Sequence, residues 1–245
     1  MGAKEITTNR SQTIIFLLMI SMVSLLLPYV PFGQKLGYPF QLLMTWFHEM
    51  GHGLTMIFVG STFSYLEIFS NGSGLAHSSS TPQAVWMNLS LSKALVSLGG
   101  LIGPPIVGSL CLIMSKNPKD THIILIVFSI FSILSAIIWV KIGVGFFIII
   151  PFGMVAAWIA WKGHPTLKQL TVQFIGIQAT LSTFNNIDYL FTDYVSINGS
   201  NYPSDVSNIS TSIGLPYWFW GIMVAALSFY MIFLAFKSIF TPQKV

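Results

Sequence analysis

The chain has 245 residues, 53% of them hydrophobic and only 7% charged, with a formal charge of +4. A soluble domain carries about 25% charged residues, so a water-clothed globule is excluded and a polytopic membrane protein is indicated. The basic excess contains no run suited to nucleic acid and fits membrane faces, and a single cysteine, Cys111, excludes an internal disulfide framework.

A spanning helix needs roughly 20 apolar residues. The first apolar run, residues 14–30, follows a charged start, but no small-x-small cleavage site comes after it, so it reads as a retained first transmembrane helix. The further candidates are 40–59, 94–114, 123–140, 146–161, 170–190 (the least apolar) and 218–236. The expected fold is therefore an all-α polytopic membrane protein of six or seven transmembrane helices, forming one integral domain over residues 1–245. The polar stretches 116–120, 161–168 and 197–208 read as connections.

Residues 61–81 differ. "STFSYLEIF" is aromatic and β-branched, "SNGSG" is rich in turn residues, and "LAHSSST" follows, which predicts a short β-hairpin after the second helix. Such a hairpin cannot face lipid, because its edge amides would lack partners. It must pack on protein, line a watery cavity or lie at the interface.

Chemistry concentrates in "FHEMGHGL", residues 47–54. His48 and His52 are one helical turn apart on one face, and two imidazoles so placed can grip one tetrahedral cation. Glu49 is turned about 100° from His48, beside the cation rather than on it. A carboxylate there can take the proton of a water that the cation acidifies. The pattern is H-E-x-x-H in a segment where ionisable groups are costly and so point to function.

A catalytic zinc has three protein ligands and an open position. Candidates for the third are His77, His122, His164, Glu67, Asp188 and Asp193. Asp188 stands out, near the end of a hydrophobic helix with Asn185 one turn earlier; Asp193 is the runner-up. The run "GGLIGPP" (99–105) brings glycines for close helix approach and two prolines expected to break or kink the helix.

With these residues the chain resembles the site-2 protease family of intramembrane zinc metalloproteases, in its small bacterial metallopeptidase-like branch. "FHEMGHGL" carries the likeness, supported by the Gly-rich hairpin (60–77), "LGGLIGPPIVGSL" (98–110) and "FNNIDYL" (184–190). Together these cover residues 40–193. The family places its third ligand in an Asn…Pro…Leu-Asp-Gly pattern, whereas Asp188 lies between Ile187 and Tyr189 with no nearby proline. The resemblance implies one Zn2+ held by His48, His52 and Asp188, with Glu49 as general base. It implies a membrane-embedded polypeptide substrate held extended on the hairpin edge, and a bacterial inner-membrane location. Asn185 is a candidate substrate-binding or oxyanion group. The rival readings are a metal or proton transporter and a catalytically silent membrane scaffold of the same fold.

Overall fold

The computed structural model describes residues 10–81, 88–185 and 187–240. Helix α1 (Arg10–Leu26) runs through a short 3-10 turn into α2 (Gly33–Phe58). Strands β1 (Tyr65–Ile68) and β2 (Gly74–His77) follow, then α3 (Leu89–Met114), α4 (Pro118–Ile138), α5 (Val144–Lys162) and α6 (Pro165–Asn185). A 3-10 segment, Ile187–Phe191, leads to β3 (Tyr194–Ile197), β4 (Ser200–Pro203), α7 (Asp205–Ile213) and α8 (Tyr217–Phe240).

The helix starts are written locally. Asn88 accepts from the Leu91 amide, Asn117 from Lys119 and Ser204 from Ser207, so three helices open on side-chain caps. The chain is a multi-pass integral membrane protein. Among the described residues four helices, α3, α4, α5 and α8, are long and apolar enough to cross a bilayer, against the six or seven expected. The shortfall has a cause. Helices α2 and α6 have 26 and 21 residues, but polar side chains along both dilute their apolarity. Helix α1 has only 17 residues.

Helix α3 packs against α2, α6, α7 and α8 and is the central post of the bundle. The expected break at its prolines does not occur: α3 runs through Pro104 and Pro105 unbroken. Pro105 removes the amide that would bind the Leu101 carbonyl, and the Thr183 hydroxyl of α6 donates to that carbonyl instead, at 3.0 Å. Gly51 of α2 and Gly99 of α3 lie so close that a side-chain carbon on either would overlap the other's backbone. Cys111 is a buried packing residue in the main core.

The expected hairpin is present as antiparallel β1–β2, with Leu66 opposite Ala76. Gly72 supplies the positive φ of its turn, at 89°. The outer edge of β1 is covered by the α4–α5 connection: the Leu66 amide donates to Trp139 O (2.8 Å), and the Lys141 amide to Leu66 O (2.9 Å). Region 197–208, read as a connection, is instead a second hairpin, β3–β4, followed by the nine-residue helix α7. Asn198 and Gly199, both at positive φ, form its two-residue turn.

Candidate metal centre

Helix periodicity divides α2 into faces with different tasks. Leu42, Leu43, Trp46, Phe47 and Met50 are buried in the apolar core. Gln41, Thr45 and Glu49, four residues apart, face the first hairpin. The Thr45 hydroxyl donates to Gly72 O (2.6 Å), Glu49 accepts from the Ala76 backbone, and Gln41 lies beside Gly72. His48 and His52 form the adjacent stripe. Their Nε2 atoms are 3.0 Å apart and their rings perpendicular.

The His52 ring lies against Gly100 of α3, where any side-chain carbon would overlap it. Its Nδ1 is 2.8 Å from the Val96 carbonyl oxygen. A carbonyl only accepts, so Nδ1 carries the proton and Nε2 presents its lone pair. That is how a metal-binding imidazole is oriented.

The carboxylate facing the imidazoles is Asp205. Its Oδ2 lies 3.2 Å from His48 Nε2 and 3.3 Å from His52 Nε2. Among the described residues these three form the group that could hold a metal ion. Two imidazole nitrogens and a carboxylate oxygen are a donor set that could hold a metal ion. Bonds of about 2.0–2.2 Å in a tetrahedron set ligand atoms about 3.3–3.6 Å apart, and the three separations here are 3.0, 3.2 and 3.3 Å. Two nitrogen lone pairs and a carboxylate oxygen converging in a buried place also repel unless a proton or cation joins them.

Asp188 is not brought to the imidazoles. It lies exposed on the 3-10 segment, lining the cavity in front of the site. Successive residues of a 3-10 helix are turned about 120° apart, and Tyr189 takes the inward direction, with its ring edge-on to His48 at 6.0 Å. Asp193 is also exposed. It clips the base of the second hairpin, accepting from the Ser204 amide (2.8 Å) and the Ser207 hydroxyl. Asn185 closes α6, and its side chain lies outside the described residues. His77 and Lys141 both reach Glu67, each at 3.0 Å. The Lys141 hydrogen bond holds the Glu67 carboxyl below its ordinary value. Lys168 donates to His122, and His164 accepts from the Thr166 amide, so neither imidazole joins the cluster.

Asp205 and Tyr189 were missed by reading the sequence. The available signal was "PSDVSNI": a serine cap, then Val206, Ile209 and Ile213 at helical spacing, with an aspartate in the first turn.

His48 and Glu49 line one wall of a cavity of about 490 Å³. Gly72, Ser73 and Gly74 of the first hairpin and Val195, Ser196 and Ile197 of the second line others. Residues 13–235 match the family model described as Peptidase M50B-like. The chain belongs to that family. This puts the M50B-like chain in the site-2-protease-like clan, and with the buried His48–His52–Asp205 cluster it supports a metalloprotease-like activity. No curated protein and no solved structure matches it.

Proposed function

We propose that this M50B-like protein is a zinc-dependent intramembrane endopeptidase of the small bacterial metallopeptidase-like branch, in the inner membrane. The observation that carries the reading is the Asp205 carboxylate within 3.3 Å of both imidazole nitrogens, with Glu49 beside them at the same cavity. Helices α2 and α6, more polar than the four apolar crossings, are long enough to stand in the bilayer beside them. At 1.5 Å per residue α2 is about 39 Å long and α6 about 31 Å, enough for a hydrocarbon core of about 30 Å.

His48, His52 and Asp205 hold the ion. Bound zinc supplies the positive charge that acidifies water and polarises a peptide carbonyl. Glu49 accepts the proton of the attacking water and returns it to the departing amine nitrogen. Asp188 keeps its place on the cavity wall rather than in the ligand set.

The substrate is a membrane-embedded polypeptide segment. Helices hide their peptide bonds, so it must be held extended. Strand β1 is covered by the α4–α5 connection, which leaves β2 the edge available for an added strand. Ala76 lies opposite Leu66, whose own backbone groups turn toward Val140, so the Ala76 N–H is directed away from β1 and toward Glu49. Gly74 presses on Glu49 and Thr45, where an added side-chain carbon would lie 2.7 Å from each. An extended chain on this edge therefore passes directly over the general base.

Zinc content and cleavage of a model transmembrane substrate, measured together, test the reading. Wild type is expected to hold one zinc. His48→Ala, His52→Ala and Asp205→Ala lose it, and Asp188→Ala keeps it. Glu49→Gln keeps zinc and loses cleavage. Wild type without stoichiometric metal sinks the proposal. Metal-dependent ion flux without cleavage favours a transporter, and neither activity favours a scaffold.

A further inference from the structure

The Asp205 carboxylate is held by one more group. The Tyr189 hydroxyl donates to Asp205 Oδ2 at 2.9 Å, the same oxygen that faces both imidazoles. It also accepts from the Asp205 backbone amide at 3.1 Å. That amide belongs to the first turn of α7, where N–H groups have no partner within the helix. One phenol oxygen thus fixes the backbone and the carboxylate of the same residue.

The phenol is itself well anchored. Leu190 is buried in a cluster with Ala94, Leu101, Val206, Ile209 and Val224, against which Tyr189 packs. Gly221 of α8 seats against the Leu190 carbonyl with no room for a side chain. The segment carrying Tyr189 is thereby wedged against α3, α7 and α8. Its ring meets His48 edge-on, so Tyr189 touches two members of the cluster at once.

We propose that Tyr189 is the positioning residue of the metal centre, setting the direction from which Asp205 meets the ion. A carboxylate oxygen has two lone-pair directions. The phenol occupies one on Oδ2, so the other is turned toward His48 and His52. Without the phenol, Asp205 sits on the first turn of a nine-residue helix with its carboxylate free to rotate. The inference rests on the reading of His48, His52 and Asp205 as the metal ligands.

The test uses the full chain in detergent, with zinc affinity from chelator competition and the visible spectrum of the Co2+-loaded protein. Tyr189→Phe keeps the ring and deletes only the hydroxyl. Loss of an outer hydrogen bond to a metal ligand costs roughly 10–100-fold in affinity, and that loss is expected here, with a changed Co2+ spectrum. The melting midpoint of the metal-free protein reports separately on folding. Asp205→Ala is expected to lose more than Tyr189→Phe. In the double variant, Tyr189→Phe should add nothing, because the phenol acts through Asp205.

Wild-type affinity and spectrum in Tyr189→Phe, with zinc lost in Asp205→Ala, overturn the positioning role and leave the ligand set standing. An equal further loss in the Asp205→Ala background also overturns it, since the phenol would then act on its own. Wild-type zinc affinity in Asp205→Ala removes the ligand reading itself.

Discussion

The metal cluster is assembled in two different ways. His48 and His52 come from one long helix, with their separation set by 3.6 residues per turn and their faces set by a buried apolar stripe. Asp205 comes from the first turn of a short helix more than 150 residues later. A serine cap, an aspartate clip and a phenol keep it in place. The helical part of the centre needs only local geometry. The carboxylate depends on tertiary contacts that seat α7 against α3, α8 and the 3-10 segment. The difference teaches that metal affinity here depends on the quality of a tertiary contact, whereas the two imidazoles arrive together as one element forms.

The harshest break falls on the helical side. In Gly100→Ala the new methyl would overlap the His52 ring, so either the ring turns or α2 and α3 separate. Either change removes His52 Nε2 from its lone-pair direction and weakens its bond to Val96 O. Zinc binding is expected to fall by more than about 100-fold, since a ligand rather than an outer hydrogen bond is disturbed. Chelator competition reads it. Unchanged affinity would mean that the close α2–α3 approach does not fix the ring.

What could be read from the sequence follows the same division. The motif at His48, Glu49 and His52, the first hairpin and the four long apolar helices α3, α4, α5 and α8 are visible, because each is written in a contiguous stretch with its own period. Asp205 was not. Its stretch, "INGSNYPSDVSN", reads as polar turn chemistry, and only tertiary contacts bring its aspartate to α2. Asp188 stands in the sequence near the end of an apolar stretch, just beyond α6. A 3-10 turn then directed Tyr189 inward in its place, and the handover from α-helix to 3-10 turn carries no periodic signal. The unbroken α3 has a similar explanation: the partner that takes up the carbonyl freed by Pro105 is Thr183, on another helix.

A milder break falls on the side of the carboxylate. Asp193→Ala removes the acceptor of the Ser207 hydroxyl while leaving the backbone bond from Ser204 in place. A hydrogen bond to a charged group is worth about 1.5–3 kcal/mol, but Asp193 is exposed, so the lower end is expected. The second hairpin should loosen at its base, with zinc affinity reduced only several-fold. Hydrogen exchange across residues 194–207 and the same chelator titration measure both effects. A loss as large as that of Asp205→Ala would make Asp193 a ligand after all.

The smallest effect sharpens the contrast from the first hairpin, which guides substrate in the proposed mechanism but holds no metal. Glu67 binds Lys141, and Lys141 also lies over the Tyr65 ring at 3.9 Å. Together they tie the hairpin to the α4–α5 connection. Because Glu67 is held below its ordinary value by the Lys141 hydrogen bond, its contribution is fully present above the unfolded carboxyl pKa of about 4.3. It fades as pH falls through the lower folded value. Lys141 is shifted upward by the same bond. Its contribution is complete below its unfolded value and is lost as pH rises through the raised one. The tie is therefore intact across neutral pH and weakens at both extremes. Amide exchange at Leu66 and Lys141, corrected for intrinsic rates, should quicken in wild type below about pH 4. Glu67→Gln should exchange faster at neutral pH and lack the acid transition, with zinc content unchanged. An acid transition that survives in Glu67→Gln would assign it to another group. Zinc lost from this variant would join the hairpin to the metal centre and erase the distinction between guiding substrate and holding the ion.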